Sequence, residues 1–577
     1  MKKILTLCLV ALLQCLMQAQ KLDISWSEQF KYDNKLDGFF DSFEGANSQF
    51  VYAKFSNLAI REKKRNKKIK LIAFDKNTMK KVGDVSLKGY GKENDGLIFL
   101  NTYIFEKAIY VIWIKESKKK KEYYAQAFDE KLRKLYKTTK IYEQSTEKGH
   151  DDNVAILGNT KAAKLMILKE FPITKDDEKL RVEFKMLNAD LSFGSVQQVT
   201  MPIQFSKKRR GLFSSYNNGF KVNYELGDDA FLYVQDLIKM DDEDRKNLRK
   251  GESSVYTYFA QINPDNGTLK DYKVKYDNIN TFKVSYVLDK GKIKLYGFFS
   301  DLNKDSKGND THGIFYVSIN NYNFKMETKH FEYFDKRLLD ELYAKDREDQ
   351  KHGKGLFKSK KAKKSDDESI SDFYEIEQTI SDGANLTLFC SIMNNYSRQV
   401  CSTSNGVTTC RTEYYCNKRN VTVFKLNSDG KLLWAKNMDR EITYSGWNVY
   451  DIRAVKNNYN YFVLYGSKTD LDGKRKRRGR GYFNDKLEYA TFSTSDGNYK
   501  QAEYEVNAKN TKKKERKYVT IMQISTFDNQ MYTQCARIRR KPGVFISLLF
   551  PPLYLILQFN TNLMKGTGYV ASIIAKG

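Results

Sequence analysis

The chain has 577 residues and a formal net charge of +29 at pH 7, with 14% aromatic residues and only 6 prolines. Abundant aromatic residues and scarce proline exclude a disordered or linker-rich protein, because aromatic side chains supply the area that a folded core buries. The excess of cations favours partners that carry negative charge.

Residues 1–19 predict a secretory signal peptide. A lysine-rich start precedes the apolar run from Ile4 to Leu13, which is too short to span a bilayer, and an imperfect cleavage site ends at Ala19. A lipoprotein anchored at Cys15 is the alternative, but Gln14 stands where a small residue normally precedes a lipidated cysteine. We therefore expect an exported protein, periplasmic or secreted, with no membrane span in the mature chain.

A strand-like run, a turn of Asp, Asn or Gly and a second run recur seven times. Aromatic and β-branched residues alternate with polar ones in each, which is typical of half-buried antiparallel strands. The segments are Ile69 to Leu87, Glu122 to Ile141, Leu180 to Val199, Val255 to Val274, Gly313 to Tyr333, Val421 to Met438, and Leu487 to Val506.

Apolar pairs upstream of these hairpins, such as Ile98 to Ile114 and Phe282 to Phe299, predict two inner strands for each unit. Units of four strands at this spacing indicate an all-β fold, a β-propeller of seven or eight blades, with residues 20–577 as one domain. The lone strand Leu22 to Phe30 is expected to pair in the same blade as the final strands, because an open ring would leave an edge unpaired.

Three of the four cationic runs lie at the same place in the predicted unit, directly before the outer hairpin. They fall within residues 61–70, 115–121 and 473–481, and a fourth spans 351–364. Equivalent loops of a propeller open on one face, so we expect a basic face that binds a polyanion. The alternative is a set of solvated loop tips without a ligand. The candidate binding residues are Lys63, Lys64, Arg65, Lys118, Lys119, Lys120, Lys474, Arg475, Lys476, Arg477 and Arg478.

Two segments depart from the strand pattern. Residues 334–371 form an insertion in which Leu338, Leu339 and Leu342 predict a short helix, followed by a charged tract read as a mobile loop. The apolar stretch Val544 to Phe559 is interrupted by a Pro-Pro pair, and we expect two buried strands there rather than a membrane contact.

The cysteines beyond residue 19 favour disulfides over a metal site, since no Cys-x-x-Cys pair occurs. Cys401 and Cys410 lie symmetrically about Asn405-Gly406, a preferred type I′ turn, within a predicted hairpin insertion at 394–418. In that register they face each other at a separation a disulfide can bridge. Cys390 with Cys416 is a second predicted bridge, and Cys535 is left over.

No catalytic or cofactor motif stands out, so a non-enzymatic role is preferred. The histidines are isolated, and Gly149 to Asp152 is interpreted as a polar loop rather than an acid site. No cofactor is expected. The one weak candidate is calcium at Asp301, Asn303 and Asp305, but Ser306 takes the glycine position of an EF-hand loop.

Two segments carry a resemblance to a family. Phe373 to Met393 contains Asp382-Gly383, and Val421 to Arg440 ends near Trp434-Ala435-Lys436. The chain resembles secreted bacterial β-propeller-like proteins of unassigned function, in which the first segment is a strand, turn and strand, and the Trp packs the blade. This resemblance implies a fold and an envelope location, and it carries over no catalytic residue.

We therefore expect an exported, non-catalytic binding or scaffold propeller whose partner is an anionic polymer or an acidic envelope protein. The alternative is an enzyme that acts on an acidic polysaccharide at the mouth of the propeller channel, where carboxylates would have to converge. A structural envelope component without a ligand is the third class.

Overall fold

A computed structural model shows an eight-bladed β-propeller. The structure describes residues 21–32, 39–56, 68–89, 96–146, 153–171, 179–188, 190–204, 222–239, 246, 248, 252–304, 310–342, 374–404, 407–466, 486–507, 511, 517, 519, 521–540 and 564–576. Within these ranges the strands form eight antiparallel sheets, which resolves the sequence expectation of seven or eight blades.

The chain opens with β1 (Lys21–Trp26) and β2 (Phe30–Tyr32), which belong to the final blade. Blade I consists of β3 (Phe39–Ala46), β4 (Phe50–Ser56), β5 (Lys68–Asp75) and β6 (Lys81–Lys88). Blade II consists of β7 (Ile98–Ile104), β8 (Ile109–Glu116), β9 (Lys120–Phe128) and β10 (Thr139–Ser145). Blade III consists of β11 (Asn153–Asn159), β12 (Lys164–Glu170), β13 (Lys179–Leu187) and β14 (Phe193–Gln204). Blade IV consists of β15 (Asn223–Leu226), β16 (Leu232–Lys239), β17 (Val255–Ile262) and β18 (Leu269–Val274).

Blade V consists of β19 (Ile279–Asp289), β20 (Lys292–Asp301), β21 (Gly313–Asn320) and β22 (Met326–Tyr333). Blade VI consists of β23 (Tyr374–Ser381), β24 (Leu386–Ser404), β25 (Val407–Leu426) and β26 (Leu432–Ser445). Blade VII consists of β27 (Arg453–Lys456), β28 (Asn460–Leu464), β29 (Lys486–Ser493) and β30 (Tyr499–Glu505). Blade VIII consists of β31 (Ser525–Phe527), β32 (Gln530–Arg540), β33 (Met564–Lys576) and β1, with β2 also paired to β33.

The first strand of each blade is innermost. Contacts between the first strands of neighbouring blades run around the ring, including β3 with β7, β19 with β23, β23 with β27, and β31 with β3. The seven hairpins predicted from the sequence are the third and fourth strands of blades I to VII, as expected.

The two ends of the chain close the ring. β1 pairs antiparallel with β33 from Lys21 opposite Lys576 to Trp26 opposite Ala571, and Phe30 of β2 lies opposite Gly568. The predicted pairing of the amino-terminal strand with the final strands is therefore confirmed. Closure removes the exposed edge that an open ring would present to other chains.

Apolar side chains fill the space between adjacent blades. The junction of blades VI and VII, for example, buries Phe389, Val423, Trp434 and Tyr461 within one apolar cluster. Trp434, the residue that carried the resemblance, is 9% exposed. A Cβ added at Gly497 would lie 2.5 Å from the Trp434 ring, so the turn there needs glycine for space as well as for its φ of 72°.

The predicted insertions are described in part. Residues 336–342 form the expected short helix, and Leu338, Leu339 and Leu342 are buried against blades V and VI. The tract that follows it and the apolar stretch 544–559 lie outside the described residues. Among the described residues, we find no helix with the length and apolarity needed to cross a membrane.

Candidate functional site

The connections on the two faces of the ring differ in length and charge. Neighbouring strands run in opposite directions, so links from first to second and from third to fourth strands open on one face, here called the turn face. Links from second to third strands and from one blade to the next open on the other, the loop face. The turn face carries tight turns such as Asp382 to Asn385, whose Asp382 carboxylate accepts from the Asn385 N–H at 2.7 Å. The link between β9 and β10 is the longest on the turn face, and every connection longer than it belongs to the loop face.

The strand assignment places the predicted basic runs on the loop face. The run at 61–70 precedes and enters β5, the run at 115–121 joins β8 to β9, and the run at 473–481 lies between β28 and β29. Each therefore links the second and third strands of its blade, as predicted. The run at 351–364 lies between β22 and β23, a link between blades that opens on the same face.

The individual candidate residues are described only in blade II. Lys118 and Lys119 are exposed in the turn between β8 and β9. The Lys120 ammonium instead lies 3.0 Å from Glu122 and 3.3 Å from Glu143, so its charge is partly balanced on the sheet. The other candidates lie outside the described residues: Lys63, Lys64, Arg65, Lys474, Arg475, Lys476, Arg477 and Arg478.

Ring order brings most of these runs into one arc. Blades VII, VIII, I and II are consecutive around the ring, and three of the predicted runs belong to blades VII, I and II. Residues 508–518, which join blade VII to blade VIII on the same face, add six lysines and arginines against one glutamate. We call this set of loop-face connections, from blade VII to blade II, the basic arc.

A long two-stranded ribbon rises from the loop face beside the basic arc. β24 and β25 stay paired from Leu386 opposite Leu426 out to Ser404 opposite Val407, so the predicted insertion at 394–418 continues the blade strands. Cys401 and Cys410 lie opposite each other near the tip and form a disulfide, as predicted, with Cα atoms 4.0 Å apart.

The predicted bridge between Cys390 and Cys416 is wrong, since both are buried free thiols. In the observed register Cys390 lies opposite Thr422, and Cys416 lies opposite Asn395. The two cysteines are thus separated by five positions along the ribbon, about 16 Å at strand spacing, far beyond disulfide reach. Cys535 is also a buried free thiol.

A buried network of charges supports the base of the ribbon. The side chains of Glu377, Lys418, Arg440 and Asp451 are at most 1% exposed. Lys418 Nζ lies 2.5 Å from Glu377 Oε1, and Arg440 holds Asp451 through both carboxylate oxygens, with Nη2 2.8 Å from Oδ1. Arg440 also donates to the carbonyl oxygens of Gly466 at 2.9 Å and Asn420 at 3.2 Å.

Both carboxylates of the network have further donors. The Glu377 Oε2 atom accepts from the backbone N–H groups of Asp451 at 2.7 Å and Ile452 at 3.0 Å, while the Tyr444 hydroxyl donates to Asp451 at 2.7 Å. Burial alone would raise the pKa of the Asp451 carboxyl, but Arg440, Lys418 and Tyr444 hold that pKa below its usual value. Each of the four buried charges therefore has a partner of opposite sign.

The inner wall of the ring holds a cavity of about 360 Å³ between β19 and β23. It is lined by Lys283, Ser285, Tyr296, Glu375, Gln378 and Thr379, among others. The carboxylates described on this wall are engaged by neighbours, with Glu375 paired to Lys283, and Glu225 accepting from the Tyr286 hydroxyl at 2.7 Å. Glu377 belongs to the buried network. Among the residues that line this cavity, the carboxylates are Glu375 and Glu377, and both are paired with lysines.

The weaker sequence candidates are only partly described. Asp301 accepts from the Asn303 N–H at 3.0 Å and from the Tyr333 hydroxyl at 3.0 Å, and Asp305 lies outside the described residues. Within the described ranges, His, Cys, Asp and Glu form no group of three or more that could share a metal ion. Gly149 to Asp152 also lies outside those ranges.

No protein-family model matches this chain, and no curated protein matches it. Among solved structures, it is similar to the β-propeller domain of the Trilobed protease from Pyrococcus furiosus, with 10% identity, a TM-score of 0.32, and coverage of 83% of this chain and 98% of that one. It is also similar to the Nup133 β-propeller domain of Vanderwaltozyma polyspora, with 9% identity, a TM-score of 0.34, and coverage of 96% and 98%. Likeness at this level carries no inference about function, and the propeller assignment rests on the described sheets.

Proposed function

We propose that this protein is an exported, non-catalytic binding propeller that holds an anionic polymer across its loop face. The observation that supports the proposal most is the placement of cationic connections around the ring. Three predicted runs, together with residues 508–518, belong to one arc of consecutive blades and open on one face. Charges gathered on one surface add their fields, and a polymer can contact several connections at once.

Export is part of the proposal. Disulfides such as the one at the tip of the ribbon are typical of oxidising compartments and rare in the cytosol, which agrees with the signal peptide predicted at residues 1–19. A rigid ring that presents long connections on one face is suited to binding, because binding residues concentrate on loops held by a stable scaffold.

The test is a fluorescence anisotropy titration of the mature protein with labelled heparin at several salt concentrations. Each contact with a phosphate-like charge adds roughly 0.9 to the slope of log affinity against log salt, so a contact spanning several connections gives a steep dependence. Replacing Lys474, Arg475, Lys476, Arg477 and Arg478 with Ser should flatten the slope and weaken binding.

A matched control removes five exposed lysines from the turn face: Lys80, Lys131, Lys137, Lys325 and Lys431, each replaced by Ser. The two variants change net charge equally, so only the position of the lost charge differs. We expect the turn-face variant to keep the parent's slope apart from a small uniform loss of affinity. Equal effects from the two variants, or no binding by the parent, would overturn the proposal.

A further inference from the structure

Trp447 is presented to solvent at the base of the ribbon. Its side chain is 45% exposed, whereas Trp113 and Trp434 are 0% and 9% exposed. Tyr414, whose ring contacts Trp447, is 53% exposed, and Tyr450, three residues further along the link, is 43% exposed. Exposed aromatic residues gathered in one place are typical of surfaces that bind, because water leaves such surfaces at little cost.

The exposed tryptophan is held in place by its backbone neighbours. The Gly446 N–H donates to the Tyr414 carbonyl at 2.9 Å, and the Asn448 N–H donates to Asn395 Oδ1 at 2.9 Å. Asn395 Nδ2 donates in return to Asn448 Oδ1 at 2.7 Å. Asn448 has a φ of 52°, a left-handed conformation that asparagine adopts more readily than most residues with a side chain.

The buried network fixes both ends of this short link. Tyr444, at the end of β26, donates to Asp451, which directly precedes Ile452 and β27. The Asp451 N–H in turn donates to Glu377 of β23. The link that carries Trp447 is therefore tied to the ribbon above it and to the innermost strand below it. Because the Trp447 indole is already held in place, it loses little conformational freedom when a ligand packs on it.

Trp447 and Tyr414 form a right-angled pair. Their ring centroids are 5.7 Å apart and their planes meet at 86°. In such a pair one ring stands perpendicular to the other. The Asn395 and Asn448 amides lie in the same part of the surface. The pair does not offer the parallel, spaced faces on which successive nucleic-acid bases stack.

We propose that Trp447 stacks on a sugar ring of an anionic polysaccharide. This inference rests on the proposed function and names its ligand class. A pyranose ring presents C–H groups on one side, which pack against the electron-rich face of an indole. Its hydroxyl groups can bond to the neighbouring amides, which both donate and accept. The link between blades VI and VII, which carries Trp447, opens on the loop face.

The experiment compares three labelled polyanions at one salt concentration: a heparin oligosaccharide, oligo-dT and linear polyphosphate, which has no rings. We expect Trp447→Ala to weaken heparin binding about tenfold and to leave polyphosphate binding unchanged, since stacking contributes only where a ring is present. Trp447→Phe should restore most of the loss. Tyr322→Ala is the control, because Tyr322 is 80% exposed in a turn of the opposite face. Far-UV and near-UV circular dichroism confirm that each variant is folded.

The outcomes separate the two proposals. Heparin binding that Trp447→Ala leaves unchanged overturns the stacking inference and leaves the proposed function standing. A loss that extends equally to polyphosphate overturns it too, since rings then play no part, and a loss confined to oligo-dT assigns the surface to nucleic acid instead. Failure of the parent protein to bind any of the three polymers overturns the proposed function together with the inference.

Discussion

Replacing Arg440 with Leu should destabilise the protein strongly. The guanidinium group is fully buried and holds Asp451 through two hydrogen bonds while also donating to two backbone carbonyls. Its loss leaves the buried Asp451 carboxylate with Tyr444 and with Lys418, whose Nζ lies 3.9 Å away. Removing one partner of a buried ion pair costs about 3–5 kcal/mol, or roughly a thousandfold in the folding equilibrium.

The assay is urea unfolding followed by circular dichroism, with hydrogen exchange of the peptides that cover residues 440–452. Arg411→Leu is the matched control, because this arginine pairs with Glu413 on the same ribbon while its side chain is 74% exposed. The loss of stability caused by Arg411→Leu should lie within experimental error, as is usual for solvated ion pairs. Arg440→Leu combined with Asp451→Leu should recover part of the stability, since no buried charge is then left unpaired.

The contribution of Asp451 to stability depends on pH in a defined direction. The pKa of Asp451 is lowered in the folded protein, so its contribution to stability is complete above the ordinary value of about 3.9 and is lost as pH falls below it. In Arg440→Leu burial is no longer offset by the guanidinium group, so the pKa of Asp451 should rise. The stability difference between the parent and this variant should therefore be largest at neutral pH and should shrink as pH falls and the unpaired carboxylate of the variant is protonated. If Arg440→Leu lost less stability than Arg411→Leu, or lost none at neutral pH, the reasoning would be refuted.

Three further predictions concern the ring and its cysteines. Deleting residues 21–32 removes β1 and β2 from β33, and should lower the melting temperature sharply; an unchanged melting temperature would argue against closure of the ring by these strands. Peptide mapping without reduction should recover Cys401 joined to Cys410, and alkylation of Cys401 in the native oxidised protein would contradict the bridge. Cys390 should resist iodoacetamide at pH 8 until the protein unfolds, because burial, with Glu377 and Glu375 nearby, raises the pKa of its thiol, and rapid labelling of the native protein would show that the site is open.

The fold was accessible from the sequence because the hairpins combine two local signals. Strand alternation and Asp, Asn or Gly turns are set by neighbouring residues, and both appear in segments such as Val421 to Met438, now β25 and β26. The blade count stayed between seven and eight because blade VIII is assembled from both ends of the chain. Its innermost strand, β31, has only three residues, too few for a period to show.

Contacts between cysteines of the ribbon could be predicted only where the strand register was followed from the turn. Symmetry about Asn405-Gly406 located the bridge of Cys401 and Cys410, because the turn fixes pairing for a few residues on either side. Farther along the ribbon a bulge lies between Cys390 and Ile392, and a shift of this kind cannot be counted from the turn. The bulge moves the partner of Cys390 by one residue, whereas the pairing proposed for Cys390 and Cys416 fails already in the register counted from the turn, which places Asn395 opposite Cys416.

The buried network and the exposed tryptophan were both missed. Glu377, Lys418, Arg440 and Asp451 come from separate parts of blade VI and its link to blade VII, and each alone resembles an ordinary surface charge. In the same way, a tryptophan is usually taken for a core residue. One local signal was available, since Ser445-Gly446-Trp447-Asn448 places turn-forming residues on both sides of the indole.

The most direct test of the account is a lysine acetylation footprint of the mature protein with and without bound heparin, read by mass spectrometry. Heparin bound to the loop face should protect Lys118 and peptides from residues 467–485 and 508–518, which belong to connections of that face. The exposed turn-face residues Lys131, Lys137 and Lys431 should be acetylated equally in both samples. Protection of the turn-face lysines to the same degree, or protection of neither set in a heparin-saturated sample, would contradict the assignment of the loop face as the binding surface.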